Sequence, residues 1–133
     1  MAFENHLSTA CEYGEAGFHF EEGGCIAMAL EIREALIGQK RDAVLAVDRS
    51  ACHVFVLCEG MLLDHRGWNP MREVDIVDET VLLRLAVDWD VHSRLSSDRA
   101  WAIEIVEAAI EMAADIESSI SDDCSLESFA RVR

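Results

Sequence analysis

Basic side chains are scarce in this sequence: 11 Lys and Arg stand against 26 Asp and Glu in 133 residues, a formal charge of −15. Without a Lys/Arg stripe to displace phosphate counterions, direct nucleic-acid binding is excluded. Proline occurs once and glycine seven times, and no low-complexity tract interrupts the chain, which argues against disorder or an interdomain linker. No internal repeat of useful length is present. The five cysteines, at 11, 25, 52, 58 and 124, are odd in number and include no CxxC pair, so neither a disulfide framework nor a zinc ribbon is expected. No apolar run approaches membrane-spanning length, and Met1-Ala2-Phe3-Glu4-Asn5-His6 has no basic segment leading into an apolar one. The expectation is a soluble cytoplasmic protein without membrane partners.

Apolar residues make up 51% of the chain, enough for one domain over 1–133 with a real core. Residues 1–22, with Phe3, Leu7, Tyr13, Phe18 and Phe20, read as a short helix or strap over that core. Residues 25–39 read as an apolar helix. A strand is expected at Ala43–Val47, then a hairpin of Cys52–Cys58 and Met61–His65 about Glu59-Gly60. Gly67-Trp68-Asn69-Pro70 reads as a break in regular structure, and Val74–Val77 as a short edge strand. Thr80–Trp89 is apolar on too many sides to assign to helix or strand. Asp98 is placed as N-cap of a long helix from Arg99 to about Ser118. On that helix Trp101, Ile105, Ala108, Ala109, Met112 and Ile116 fall at helical spacing, and Glu104, Glu107, Glu111 and Asp115 form an acidic face turned to solvent or to a partner. Residues 119–133 read as a polar, fraying tail. The fold class is α+β.

Cys25 stands where Gly23-Gly24 feeds the apolar helix. A thiol at a helix N-terminus meets unsatisfied N–H groups and the positive end of the dipole, which favour the anionic nucleophile. The competing assignment is structural: with Met28, Ala29, Ile32, Ala35 and Leu36 on its side of the helix, and Glu31 and Glu34 turned away, Cys25 sits centrally in a buried stripe.

With a two-residue turn at Glu59-Gly60, facing hairpin positions sum to 119, so Phe55 opposes Asp64 and His53 lies diagonal to Asp64 on the same face. A one-residue slip would separate them. A nucleophile on a helix N-terminus, a base on one strand and an orienting carboxylate on the next make a Cys25–His53–Asp64 set suited to acyl transfer. A metal site from Cys52, His53, Cys58 and His65 is weighed against this. Cys52 and Cys58 share a strand face with Val54 and Val56 while His53 points to the other, so apolar packing is preferred, and no metal or cofactor is expected.

Gly24-Cys25-x-x-x-Ala29-Leu30, His53-Val54-Phe55-Val56 and Leu63-Asp64-x-x-Gly67 together resemble the papain-like cysteine peptidase superfamily, particularly its NlpC/P60-like branch of small bacterial and phage proteins. The resemblance spans Gly23 to Gly67. It implies an N-terminal core helix carrying Cys25, packed on an antiparallel sheet, with Cys25 as nucleophile, His53 as base and Asp64 as orienter. It also implies an upstream polar oxyanion donor, for which His19 is the candidate beside the Cys25 backbone N–H, and a cleft that Trp68 could line. Gly24 and Ile26 depart from the Asp-Cys-Ser context typical of NlpC/P60 hydrolases. Trp89 is read as packing.

The resulting expectation is a cysteine-dependent hydrolase or acyl transferase acting on an amide or peptide bond, with a catalytically degenerate protein that keeps the fold but has lost activity as a further possibility. The alternative is a non-enzymatic acidic inhibitor, phage-encoded, that binds a basic macromolecular surface.

Overall fold

Glu59 and Gly60 both hold positive φ, 55° and 77°, the conformation of a two-residue turn whose twist matches that of its flanking strands. In the computed structural model, which describes residues 2–12, 19–20 and 23–127, that turn joins β2, His53–Cys58, to β3, Met61–Asp64. The register is Val56↔Leu63, Leu57↔Leu62 and Cys58↔Met61, as the sequence spacing requires. β1, Val44–Asp48, pairs with β2 from Val44↔Leu57 to Asp48↔His53. Two short strands close the sides: β4, Gly67–Asn69, on β3 and β5, Asp75–Val77, on β1. The sheet is five-stranded and antiparallel, ordered β4-β3-β2-β1-β5.

Alternation along the strands sends side chains to two separate cores. Leu45, Val47, Val54, Val56, Cys58 and Leu63 join the main cluster, which runs in sequence from Phe3 to Ala113. Ala46, Phe55 and Leu62 form a small cluster of their own with Leu57 and Val74. The main cluster is filled by α2, Cys25–Gly38, whose first eight residues are all buried. It is preceded by a 3-10 turn at Phe3–His6 and by α1, Leu7–Glu12. After β5 come α3, Glu79–Asp88, a 3-10 turn at His92–Arg94, and α4, Leu95–Glu127. The whole is an α+β fold with a long C-terminal helix.

Several expectations change. Gly67–Asn69 is a strand, with Asn69 opposite Leu62, because Pro70 lies just beyond the ladder and need not donate to it. The ambiguous stretch 80–89 is helical and capped by Asp78, whose side chain accepts the Val81 N–H at 2.9 Å. Asp98 is not a cap: α4 begins at Leu95 and extends past residue 118, so the polar tail is helical as far as Glu127. Its buried stripe is Ala102, Ile105, Val106, Ala109 and Ala113, with Trp101 and Ile116 toward solvent. Glu31 is not turned to water. It is buried and bound by Arg99 of α4 at 2.6 Å, because α2 is enclosed by the sheet on one side and by helices on the other. Tyr13 and Phe18 lie outside the described residues.

The N-terminal 3-10 turn is fastened by charge as well as by Phe3. Glu4, 4% exposed, receives Arg41 in a two-pronged bond, Nη1 to Oε1 at 3.0 Å and Nη2 to Oε2 at 2.8 Å. Burial raises the Glu4 pKa, but the Arg41 bonds outweigh it and hold the carboxyl below its ordinary range. Removing one partner of such a pair leaves a buried charge uncompensated. Arg41→Ala is expected to destabilise the fold by about 3–5 kcal/mol in urea unfolding, and Glu4→Gln in the same chain to recover part of that loss.

Candidate functional site

Cys25 is the first residue of α2, and the chain reaches it through Gly23 with φ 129°. Gly24 has no room for a side chain: a Cβ there would lie 2.7 Å from Phe20 Cδ1 and 2.8 Å from His19 Cδ2. Its N–H donates to the His19 carbonyl at 3.1 Å and its own carbonyl accepts the Met28 N–H at 3.1 Å, so this glycine both receives the preceding segment and starts the helix.

His53 and Asp64 meet as the hairpin register requires. His53 Nε2 and Asp64 Oδ2 are 2.9 Å apart, and the His53 ring stands edge-on to Phe55 with centroids 4.7 Å apart. The Cys25 side chain lies near enough to the His53 ring to contribute to raising its pKa. His53 is the first residue of β2, at the sheet's end, where its imidazole meets a carboxylate on the neighbouring strand.

Asp64 is the most heavily bonded of the three. Oδ2 accepts Arg66 Nε at 3.1 Å and Nη2 at 2.8 Å besides His53, and Oδ1 accepts the Arg66 backbone N–H at 2.9 Å and Asn69 Nδ2 at 3.1 Å. Burial works against its ionisation, but the bonds from His53 and Arg66 prevail and hold the carboxyl well below the usual range. Burial likewise pushes the His53 pKa down, yet Asp64 and Cys25 lift it to about 9. At neutral pH the pair is therefore imidazolium and carboxylate.

The site is closed to solvent, with Cys25 and Asp64 each 3% exposed and His53 7%. A cavity of ≈ 380 Å³ lies next to it at Asp48, the strand partner of His53, and is walled also by Ser50, Arg72 and Asp75.

His19 is placed differently from a ready oxyanion donor. It packs on Gly24, but its Nε2 is engaged with Asp98 Oδ1 at 2.8 Å and its ring stacks on Trp101 at 4.8 Å. Trp68 is half-buried against the main core, opposite Leu63. Of the four residues weighed for a metal, Cys52 is exposed in the β1–β2 turn with φ 50° and Cys58 is buried in the main core. His65 instead joins the site, one donor atom each from His53, Asp64 and His65 lying within 4.8 Å of the others. Sequence reasoning missed Arg66 and Asn69, and weighed His65 only in a metal set with Cys52, His53 and Cys58. Treating Gly67–Asn69 as a returning strand would have brought Asn69 back beside Asp64.

The chain matches no protein-family model, no curated protein and no solved structure. Among the described residues, no helix is long and apolar enough to cross a membrane.

The sign of the pH dependence follows from the pair. His53 is raised above its ordinary 6.5 to about 9, so its contribution to stability is complete below about 6.5 and is lost as pH rises through 9. Asp64, lowered, keeps its contribution above its ordinary 3.8 and loses it only in stronger acid. The His53 ring proton resonances are expected to titrate with a midpoint near 9, falling toward ordinary values in Asp64→Asn.

Proposed function

We propose that Cys25, His53 and Asp64 act as nucleophile, base and orienting carboxylate of a papain-like cysteine hydrolase or acyl transferase whose substrate is an amide or peptide bond. The observation that carries this is the His53–Asp64 pair, 2.9 Å apart, beside the start of the helix that carries Cys25, whose side chain acts on the same ring. With Nε2 committed to Asp64, Nδ1 is the ring nitrogen left for sulfur. Arg66 and Asn69 fix the carboxylate, and through it the tautomer and aim of the imidazole.

In the acylation step the Cys25 thiolate attacks the carbonyl carbon, forming a C–S bond, and the oxyanion is received by the Cys25 backbone N–H, which belongs to the first turn of α2 and lacks an intrahelical acceptor. The His53 imidazolium gives its proton to the leaving nitrogen as the C–N bond breaks. Neutral His53 then takes a proton from water, or from an amine acceptor, as that group attacks the thioester and the C–S bond opens. At 3% exposure the sulfur meets substrate through local opening, and His19 and Phe20, packed on Gly24, are the described side chains beside the entry to α2.

Iodoacetamide labelling of the native chain at about pH 6, where an ordinary thiol is almost wholly protonated, tests this. Cys25 is expected to label faster than Cys52, which is exposed. Cys25→Ser should abolish the fast phase, and His53→Ala should slow it about tenfold or more by removing the proposed base. Labelling of Cys25 no faster than of Cys52 would overturn the assignment.

One observation favours the second reading, a non-enzymatic inhibitor of a basic surface: Glu104, Glu107, Glu111 and Asp115 form an exposed acidic row on α4, in a chain of charge −15. Association with a cationic protein is then expected to weaken steeply as salt rises past about 0.1 M, and to be lost when the four are changed to Gln or Asn, with Cys25 labelling untouched. Binding that is indifferent to salt would exclude it.

A further inference from the structure

We propose that the cavity beside Asp48 is a binding site for a small oxyanion, a carboxylate or phosphate group, held by the guanidinium forks of Arg72 and Arg49. The connection from β4 to β5 makes this cavity. Because those strands lie at opposite margins of the sheet, residues 70–74 cross the face that carries Ala46, Phe55 and Leu62, with Val74 packed on that cluster and the Arg72 guanidinium 5.6 Å from the Phe55 ring centre. A hollow of ≈ 380 Å³ remains between this crossing and the end of β1, with Asp48, Arg49, Ser50, Arg72 and Asp75 in its walls. That volume suits a small ligand.

The hydrogen-bonding capacity left in the walls decides the ligand. Asp48, 4% exposed, is spent: Oδ1 accepts the Ser50 N–H at 3.1 Å, the Ser50 hydroxyl at 2.7 Å and the Ala51 N–H at 3.2 Å, and Oδ2 pairs with Arg72 Nε at 3.0 Å. Arg72 commits only that nitrogen, and Arg49 likewise only Nε, to Asp75 Oδ2 at 2.7 Å. Among the described residues neither guanidinium has an acceptor on its terminal Nη groups. What remains is a pair of planar N–H forks, the shape that matches two oxygens of a carboxylate or phosphate. The larger hollow at Arg41, ≈ 530 Å³, lacks this capacity, because Nε, Nη1 and Nη2 of Arg41 are all bonded to Glu4 or Glu59.

Charge sets the affinity. The acids of the wall, Asp48, Glu73 and Asp75, outnumber its two arginines, but Asp48 and Asp75 are already neutralised in the pairs above. Arg49 and Asp75 are 56% and 59% exposed, and an ion pair so open to water contributes little, so Arg49 can leave it and close on the ligand from the rim. The −15 charge of the chain opposes anions at a distance but decays over a Debye length of about 8 Å at physiological salt. Fork and ligand meet at about 2.8 Å. A dissociation constant on the order of 1 mM follows from these opposing effects. The site shares no residue with the candidate triad, although Asp48 is the strand partner of His53 and Phe55 touches both the His53 ring and Arg72.

The test is an NMR titration of the intact, isotope-labelled chain at about pH 7 with sodium acetate and, separately, inorganic phosphate. Expected are saturable shifts at the Arg49 and Arg72 Nε–H and at the Ser50 and Val74 amides, half complete by about 5 mM for at least one probe. The tighter probe tells a planar carboxylate from a tetrahedral phosphate as the preferred ligand. Arg72→Gln should weaken binding at least tenfold and Arg49→Gln about threefold by removing a fork, while Glu73→Gln should tighten it about twofold by removing a like charge. Should Arg72→Gln fail to fold, because Asp48 is left without its cation, Arg49→Gln at the exposed rim decides. Shifts that have not saturated by about 50 mM of either anion, that appear equally at the exposed Arg84 of α3, or that survive undiminished in the folded arginine variants overturn the proposal. Anion binding without fast iodoacetamide labelling would retire the hydrolase and keep this site, and the reverse pattern would retire this site alone.

Discussion

The Asp64 carboxylate is the group on which the rest of the cluster depends. A carboxylate at 3% exposure persists as an anion only if its oxygens are bonded, and here the donors come from three successive pieces of chain: His53 on β2, Arg66 in the following turn and Asn69 on β4. One side chain thus ties three strands together at the end of the sheet and turns the imidazole toward the N-terminus of α2. Taking any donor away would leave the others with a charge that burial penalises.

The same solution recurs through the molecule. Among the described residues the buried acids are Glu4, Glu31, Asp48, Asp64 and Asp98, and each meets an arginine: Arg41, Arg99, Arg72, Arg66 and Arg94 respectively. Arg33 and Arg49 bind Glu79 and Asp75 nearer the surface. In a chain with 11 basic residues, this draws much of the positive charge into internal pairs. The outer surface is correspondingly anionic, most visibly along α4, and charge-driven contacts there belong to cationic partners.

Much of the architecture was legible in local chemistry. Glu59-Gly60 between two apolar runs announces a tight turn, the turn sets the register, and the register alone brings His53 and Asp64 to one face. The glycine pair before an apolar run marks the start of α2. Other elements were opaque for physical reasons. Gly67–Asn69 is too short to show a period, and its proline reads as a breaker until it is seen to fall beyond the ladder. Residues 80–89 carry apolar side chains on too many sides for periodicity to decide, and Asp98 has the chemistry of a cap while serving instead as acceptor for His19 and Arg94.

What the sequence by itself determined is the set of elements whose cause is local: the hairpin and its register, the apolar Cys25 helix, the long acidic helix and the excess of negative charge. Only the tertiary structure decided which polar groups meet. Glu31 is buried because α4 lies over it, His19 faces Asp98 rather than open space, and His65, Arg66 and Asn69 gather about Asp64. Such pairings depend on how separate elements dock, and docking is set by the packing of the shared core, which no short window of residues encodes.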